Sequence, residues 1–258
     1  MEQIKKIFDK MLEVPFLYKL YKTRLRKAPR KKLFYKPEDL TAEYYAKVKV
    51  SGNNELEHQI GRLTNFKSII RDCAPLEGDF IEFGSWKGFS LLWIAYFIER
   101  NALFNKKLVG LDGFIGLPYT DGDFRKGRFA NTSVKECRDN LYKSEELYTE
   151  TKKNIFVGKF LYKEKKAILS YFKKLNLKKF CFIHIDCDVS QSAREIFDIL
   201  VERDLIADKA YVLYDDYGIE QSLRDEVGRF NESQRSKWNI EVHSETRLTK
   251  NFLFTRKR

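Results

Sequence analysis

Hydrophobic and polar positions follow two periods along this chain, one typical of helices and one typical of strands. From about residue 56, apolar side chains recur every three or four positions as far as Pro75, which predicts a helix covering a sheet. Short β-rich runs follow at 79–83, 107–112, 154–160, 180–186 and 210–215. Helical stretches occupy 88–100, 132–141, 163–174, 190–204 and 219–232. This alternation predicts a doubly wound α/β domain with a parallel sheet.

The chain after Trp238 contains two more strand-like runs, WNIEVHS and TRLTKNFLFTRK, with no helix between them. Such a pair predicts an antiparallel hairpin at one edge of the sheet. A terminal hairpin after five parallel strands is typical of methyltransferases rather than dehydrogenases. We therefore expect an α/β, Rossmann-like class I methyltransferase fold: a mostly parallel seven-stranded sheet with a C-terminal antiparallel β-hairpin and helices on both faces.

The beginning of the chain has a different composition, basic and rich in aromatic residues, with apolar positions at helical spacing from Ile4 to Leu12. We expect residues 1–54 to form a helical, basic extension that contributes acceptor or oligomer contacts. Residues 55–258 are expected to form one catalytic domain, because a chain of 258 residues leaves no room for a second large core. A homo-oligomer is compatible with the sequence, which does not determine the oligomeric state.

Charge and cysteine content narrow the class of protein further. The chain has 49 Lys and Arg against 37 Asp and Glu, a formal charge of +12, which favours anionic partners such as phosphates, nucleotides, acidic lipids or nucleic acid. Its four cysteines form no Cys-x-x-Cys pair, and the N-terminus lacks the apolar block of a signal peptide. The longest apolar run, 89–98, is too short to span a bilayer. We expect a reduced, cytoplasmic protein without a transmembrane segment.

The first predicted strand ends in a glycine-containing turn that leads directly into a helix, with Gly84 and Gly88 in the sequence EFGSWKG. The dinucleotide fingerprint G-x-G-x-x-G is absent, so pyrophosphate binding is poorly supported. Glu82, just before the turn, suits the amino group of a methionine moiety. Asp112, at the end of the second strand, suits the hydroxyls of an adenosine ribose. Together these acids indicate S-adenosylmethionine, although each acid alone is also compatible with a helix cap or a surface ion pair.

Carboxylates are concentrated at the ends of the fourth and fifth predicted strands, where Asp186, Asp188, Asp215 and Asp216 lie. Adjacent parallel strands bring such residues together at the carboxyl edge of a sheet. Crowded carboxylates must bind protons or a cation, and oxygen ligands favour magnesium, manganese or calcium. The sequence therefore predicts a divalent metal, with Mg²⁺ preferred. His184 lies within an apolar strand and is expected to be a buried structural histidine.

Several segments of the chain together resemble the macrocin-type sugar O-methyltransferases, which modify deoxysugars on macrolides and aminocoumarins. The resemblance spans residues 62–230 and rests on GRLTNF (61–66), GDFIEFGSWKGFS (78–90), LVGLDGFIGLP (108–118), TSVKECRDNL (132–141), FIHIDCDVSQS (182–192) and YVLYDDYG (211–218). The residues after Asp188, Val189 to Gln191, depart from the family's usual Leu-Tyr-Glu, so acceptor contacts are expected to differ.

The resemblance implies a role for each residue of the expected site. Asp186, Asp215 and Asp216 correspond to metal ligands, and Asp188 corresponds to the general base that takes the proton from a sugar hydroxyl. The cofactor would be bound at its methionine end by Glu82, Gly84, Ser85, Trp86 and Gly88, at its ribose by Asp112 and near its adenine by Ser133.

The expected function is thus metal-dependent transfer of a methyl group from S-adenosylmethionine to a sugar hydroxyl, on an acceptor such as a nucleotide-activated sugar for a surface polysaccharide. A catechol-type or phosphorylated small-molecule acceptor is the alternative within enzymes. A basic nucleic-acid-binding protein is disfavoured, because clustered acids repel phosphate and no Asn-Pro-Pro-Tyr-type base pocket is present. A noncatalytic lipid-binding scaffold is the third alternative.

Overall fold

A computed structural model describes residues 35–258, and its elements follow the predicted order. A 3-10 turn at Pro37–Asp39 precedes all other described elements. The strands are β1 (Asp79–Phe83), β2 (Leu108–Asp112), β3 (Ile155–Lys159), β4 (Phe180–Ile185), β5 (Ile206–Tyr214), β6 (Trp238–Glu245) and β7 (Lys250–Arg256). The helices are α1 (Ala42–Lys49), α2 (Asn54–Asp72), α3 (Phe89–Arg100), α4 (Val134–Tyr142), α5 (Thr149–Lys153), α6 (Lys165–Lys174), α7 (Ser190–Glu202) and α8 (Gln221–Gln234).

The strands form one seven-stranded sheet in the order β3-β2-β1-β4-β5-β7-β6. Strands β1 to β5 are parallel, and β7 pairs antiparallel with both β5 and β6. The predicted fold class, including the C-terminal hairpin, is confirmed. The second strand of the hairpin lies inside the sheet because it carries buried Phe252 and Phe254, whereas β6 forms the edge and exposes most of its side chains.

The helices form two groups: α1, α2, α3 and α4 pack in succession with α5 against α3, and α6, α7 and α8 pack in succession. Helix α2 begins where the Asn53 side chain accepts a hydrogen bond from the Leu56 amide, and its apolar residues are buried at the spacing that the sequence predicted. The helical pattern from Ile4 to Leu12 lies outside the described residues. Across residues 35–258, no helix has the length and apolar character needed to cross a bilayer.

The register of the parallel strands brings their carboxyl ends to the same level. Leu111 pairs with Phe83, Phe83 with Ile185, and Ile185 with Tyr214. The amides of Gly84, Asp186 and Asp215, one position further on, each donate to the carbonyl of the neighbouring strand's last paired residue. Asp112, Gly84, Asp186 and Asp215 therefore form the next row across β2, β1, β4 and β5, where the strand order reverses and open α/β sheets bind ligands.

Two elements differ from the sequence prediction. Strand β5 begins at Ile206 rather than at 210, because a register shift against β4 accommodates the exposed pair Asp208 and Lys209 within the strand. The short helix α5 was not predicted. It is held by Glu99, whose Oε2 accepts hydrogen bonds from the Tyr148 amide and the Thr151 hydroxyl.

The core position of β7 predicts a large loss of stability when its central aromatic side chain is removed. Phe254 is fully buried, so Phe254→Ala is expected to lower the free energy of unfolding by about 3 to 5 kcal/mol. The control is Val242→Ala on β6, where the side chain is 53% exposed and the expected change is within about 0.5 kcal/mol. Urea denaturation checks both values; equal effects of the two variants would contradict the assigned position of β7.

Candidate functional site

The turn after β1 approaches the chain after β4 so closely that it requires glycine. Gly84 has a φ of 93°, and a Cβ atom there would lie 1.6 Å from the carbonyl oxygen of Asp186. Gly88, with a φ of 81°, is the residue from which α3 starts. The turn predicted to wrap a ligand thus has backbone conformations that favour glycine at both of its ends.

Asp112, the last residue of β2, is hydrogen-bonded to this turn. Its Oδ2 accepts a hydrogen bond from the Trp86 amide at 2.8 Å, and its Oδ1 accepts one from the Phe114 amide at 2.6 Å. Burial raises the pKa of Asp112, an effect that these two hydrogen bonds oppose. Each carboxylate oxygen keeps a lone pair for a further donor, which is what a ribose hydroxyl requires.

Glu82 lies within β1, two positions before the turn begins at Gly84. It is fully buried, and its backbone pairs with that of His184 on β4. Its Oε1 is 3.0 Å from His184 Nδ1, while Oε2 has no hydrogen-bond partner among the described residues. The hydroxyl of buried Ser85 likewise has no partner in the described part of the chain. Buried polar atoms are rarely left without partners, so this pair fits a bound polar ligand such as a cationic amino group. His184 is buried and hydrogen-bonded, as predicted.

Two carboxylates from the row at the strand ends, Asp186 and Asp215, converge on one guanidinium. Nη1 of Arg62 donates to Asp215 Oδ2 at 2.5 Å and to Asp186 Oδ2 at 3.1 Å. The other oxygen of Asp215, Oδ1, lies 2.7 Å from Nε2 of His58. Both His58 and Arg62 come from α2.

Neither His58 nor Arg62 was expected from the sequence to belong to the site. Arg62 carried a signal, because a charged residue stands there among the buried positions Ile60, Leu63 and Phe66 of an apolar helical stripe. His58 carried none, because nothing in its sequence neighbourhood distinguishes it from a surface residue of the helix.

The four aspartates at the strand ends differ in the direction in which their pKa values are shifted. Burial alone would raise the pKa of Asp215, but Arg62 and His58 bring it well below its usual range. Burial and the charge of Asp215 raise the pKa values of Asp186 and Asp216. Burial also raises the pKa of Asp188 to about 7. The centre therefore carries less negative charge than four ionised carboxylates would, unless a cation binds there.

The donor set fits a divalent cation. Three overlapping groups each place one ligand atom per residue within 4.8 Å of the others: Asp186, Asp188 and Asp216; His184, Asp186 and Asp215; and His58, Asp215 and Asp216. Carboxylate oxygens dominate these groups, which suits hard cations such as Mg²⁺ or Mn²⁺. Asp188 and Asp216 also have positive φ angles of 61° and 53°, an uncommon backbone conformation for aspartate that is frequent at functional sites.

Two clefts meet at these acids. The inner cleft is lined by Asp112, Gly113, Phe160, Leu161, Tyr162 and Ser192, among others. The outer cleft, of about 630 Å³, is lined by residues from α2 and the β1 turn, including Asn54, His58, Arg62 and Lys87, and by Arg128 from the chain that follows β2. Gly84, Trp86, Phe129, Asp186 and Asp188 line both clefts. The arrangement suits two ligands that touch at Asp186 and Asp188.

Residues 113–133 form a covering loop over the edge of the sheet. Leu117 and Phe124 of the loop pack with Val189 in a small separate core, and Asp121 Oδ2 accepts a hydrogen bond from the Ser190 amide at the start of α7. Phe129 contacts Trp86 edge-on, with 5.9 Å between the ring centroids. The covering loop thus supplies an aromatic wall to both clefts.

Ser133 is placed differently from the other expected site residues. Its hydroxyl accepts a hydrogen bond from the Glu136 amide and caps α4, and it stands apart from the described residues that line the two clefts. Its contact near an adenine stays a prediction. Eight of the expected site residues line a cleft: Gly84, Ser85, Trp86, Asp112, Asp186, Asp188, Asp215 and Asp216.

Comparison with known proteins places this site in a family. The profile of the family described as Macrocin-O-methyltransferase (TylF) matches residues 59–244, which is more than half of the chain. Among proteins with curated functions, none matches the sequence.

Solved structures share the fold at low identity. The O-methyltransferase NovP superposes with a TM-score of 0.62 at 19% identity, covering 77% of this chain and 81% of its own. CalS11, described as a TDP-rhamnose 3'-O-methyltransferase of calicheamicin biosynthesis, gives a TM-score of 0.53 at 15% identity, with coverages of 83% and 89%. The methyltransferase PaMTH1 of Podospora anserina, solved with S-adenosylhomocysteine, gives 0.50 at 10% identity, with coverages of 94% and 96%. At these identities the likeness shows the fold alone.

The position of Arg62 predicts that its removal destabilises the folded chain. In Arg62→Met, buried Asp215 and partly buried Asp186 lose their shared counter-charge, and the free energy of unfolding is expected to fall by about 3 to 5 kcal/mol. Arg71→Met is the matched control on the same helix, because the Arg71 side chain is 69% exposed and pairs only at the surface. Urea denaturation in the presence of a chelator measures the free energy of unfolding of both variants. A loss below about 1 kcal/mol in Arg62→Met, as expected for a surface substitution, would contradict the role assigned to Arg62.

Proposed function

This chain belongs to the macrocin O-methyltransferase family, and on that premise we propose that it methylates a hydroxyl group of a sugar. It is an S-adenosylmethionine-dependent O-methyltransferase, as the sequence predicted. The observation that carries the proposal is the junction of the two clefts, where Asp186 and Asp188 face both. A methyl donor in the inner cleft and an acceptor hydroxyl in the outer cleft would meet beside a carboxylate.

The inner cleft would hold S-adenosylmethionine, which supplies an electrophilic methyl group on its sulfonium. Glu82 and Ser85 offer buried oxygens to the amino-acid end, and the backbone from Gly84 to Gly88 wraps it. Asp112 would accept hydrogen bonds from the ribose hydroxyls. Trp86, which contacts Phe129 of the covering loop, would lie over the methyl donor. Ser133 is proposed to lie near the adenine.

The carboxylates have separate proposed roles. Asp188 would take the proton from the acceptor hydroxyl as the methyl group transfers, and its pKa of about 7 suits a general base at neutral pH. Asp186, Asp215 and Asp216 would hold a divalent cation, Mg²⁺ in our proposal. Such a cation supplies Lewis acidity that orients the acceptor and lowers the pKa of its hydroxyl.

The outer cleft supports an acceptor that carries phosphate, such as a nucleotide-activated sugar destined for a surface polysaccharide. Arg128 lines this cleft on an exposed part of the covering loop, and its guanidinium lies 5.0 Å from the Phe124 ring centroid and 4.9 Å from that of Phe129. A guanidinium held on aromatic rings is well suited to bind phosphate. The chain's charge of +12 and the description of CalS11 as acting on TDP-rhamnose give further support.

A panel of acceptors tests the proposed function directly. Chelator-treated protein is supplied with S-adenosylmethionine labelled in its methyl group, with or without Mg²⁺, and with nucleoside-diphosphate sugars, free sugars or catechols. We expect a labelled nucleotide sugar and a rate that depends on the added cation. Methylation of catechols with no sugar product would replace the sugar proposal with the catechol-type alternative.

The role of Asp188 predicts a specific kinetic defect. Asp188→Asn is expected to lower kcat by about 10²- to 10⁴-fold, because the amide cannot accept the hydroxyl proton. S-adenosylhomocysteine affinity, measured by calorimetry, should stay within a few-fold of wild type. Asp198→Asn, an exposed position on α7, is the control. Near-normal turnover of Asp188→Asn would remove this residue from the mechanism.

The role of Asp112 predicts a defect in cofactor binding instead. Asp112→Asn is expected to weaken S-adenosylhomocysteine binding about 10- to 100-fold, since hydrogen bonds to a charged group contribute about 1.5 to 3 kcal/mol. The acceptor's KM at saturating cofactor should change little. Calorimetry on the variant and on Asp198→Asn decides the point, and unchanged affinity would mean that the ribose is bound elsewhere.

A further inference from the structure

Helix α2 brings a nitrogen donor into the acid centre. His58 lines the outer cleft, and its side chain is 14% exposed. Its Nε2 lies 2.7 Å from Oδ1 of Asp215, and one ligand atom each from His58, Asp215 and Asp216 lies within 4.8 Å of the other two. The acids expected from the sequence to bind a cation therefore have an imidazole as their immediate neighbour.

Arg62 divides the oxygens of the centre into two sets. Its Nη1 is bound to Oδ2 of Asp215 and to Oδ2 of Asp186, so both of these oxygens already have a cationic partner. Asp215 Oδ1 instead has His58 as its partner. A guanidinium repels a divalent cation and has no lone pair to offer it, whereas a neutral imidazole has one, so the cation gains more beside His58 and Asp216 than beside Arg62.

We propose that His58 is itself a ligand of the divalent cation, together with Asp215 and Asp216. The proposal rests on the proposed function in one respect, that the acid centre binds a cation for methyl transfer. Ligand atoms about 2.1 Å from a metal ion lie about 3 to 4.2 Å from one another, so the observed grouping needs only small side-chain shifts to close around an ion. His58 is thus added to the ligands expected from the carboxylates, and it supplies a nitrogen atom beside their oxygens.

A nitrogen ligand changes which metal the site prefers. An all-oxygen site suits Mg²⁺, whereas imidazole favours first-row transition metals. The protein is therefore expected to bind Mn²⁺ more tightly than Mg²⁺ by a margin that depends on His58. If His58 serves only as a hydrogen-bond partner of Asp215, its replacement by another hydrogen-bonding side chain leaves this margin unchanged.

The test compares His58→Gln with wild type, using the full chain after chelator treatment and Mn²⁺ and Mg²⁺ alone as probes. Glutamine keeps a hydrogen-bond donor for Asp215 but removes the imidazole. We expect the Mn²⁺ affinity to fall at least tenfold, with a much smaller change for Mg²⁺. The pulsed electron paramagnetic resonance spectrum of bound Mn²⁺ should show modulation from a directly bound nitrogen in wild type and lose it in His58→Gln.

His243→Gln is the matched control, because His243 is exposed on β6 and packs against Tyr211 away from the centre. It should retain both the Mn²⁺ affinity and the nitrogen signal. Calorimetry with S-adenosylhomocysteine distinguishes a failure of the His58 ligand from a failure of the proposed function. Bound Mn²⁺ without a nitrogen signal in wild type overturns the assignment of His58 alone. Absence of Mn²⁺ binding in protein that binds S-adenosylhomocysteine overturns both the His58 ligand and the cation dependence, but leaves methyl transfer standing.

Discussion

The shared level of four parallel strand ends is the constraint on which the site depends. Hydrogen-bonded pairing of Leu111, Phe83, Ile185 and Tyr214 places the next residue of each strand in a single row. A shift of one position in any strand would turn its terminal side chain to the opposite face of the sheet. The contact between Gly84 and the Asp186 carbonyl enforces the alignment, since no side chain at position 84 is compatible with it.

The aligned strand ends crowd negative charges together, and side chains from a helix outside the sheet compensate them. The row and its neighbours bring several carboxylates into a partly buried volume, where unpaired charges are costly. Helix α2 precedes the whole sheet in sequence, yet it contributes both Arg62 and His58 to Asp215. Those contacts leave Asp215 ionised and shift the tendency to hold protons to Asp186 and Asp216.

The covering loop gives the site its two compartments. It leaves β2 at Asp112, which fastens the β1 turn, and it is tied down again by Asp121 at the start of α7. Further along the loop, Phe129 contacts Trp86 and forms a wall common to the two clefts. In the proposed function, a donor and an acceptor would be bound by different elements and would meet at Asp188, as a direct transfer between two substrates requires.

The sequence by itself determined the order of elements, the antiparallel ending, the glycine turn and the acids Asp112, Asp186 and Asp215, because these depend on local periodicity and on the rule that parallel strand ends share one edge. Only the tertiary structure decided that His58 and Arg62 belong to the acid centre. Both lie more than a hundred positions before Asp186 and Asp215 in the chain. Side chains so distant are brought together by the packing of α2 beside the sheet. The charge of Arg62 interrupts an apolar helical stripe, but no short-range pattern specifies which strand residues a side chain of α2 will contact. The hydroxyl of Ser133, which the family resemblance implied to lie near an adenine, caps α4 in the structure, and its contact with a cofactor stays a prediction.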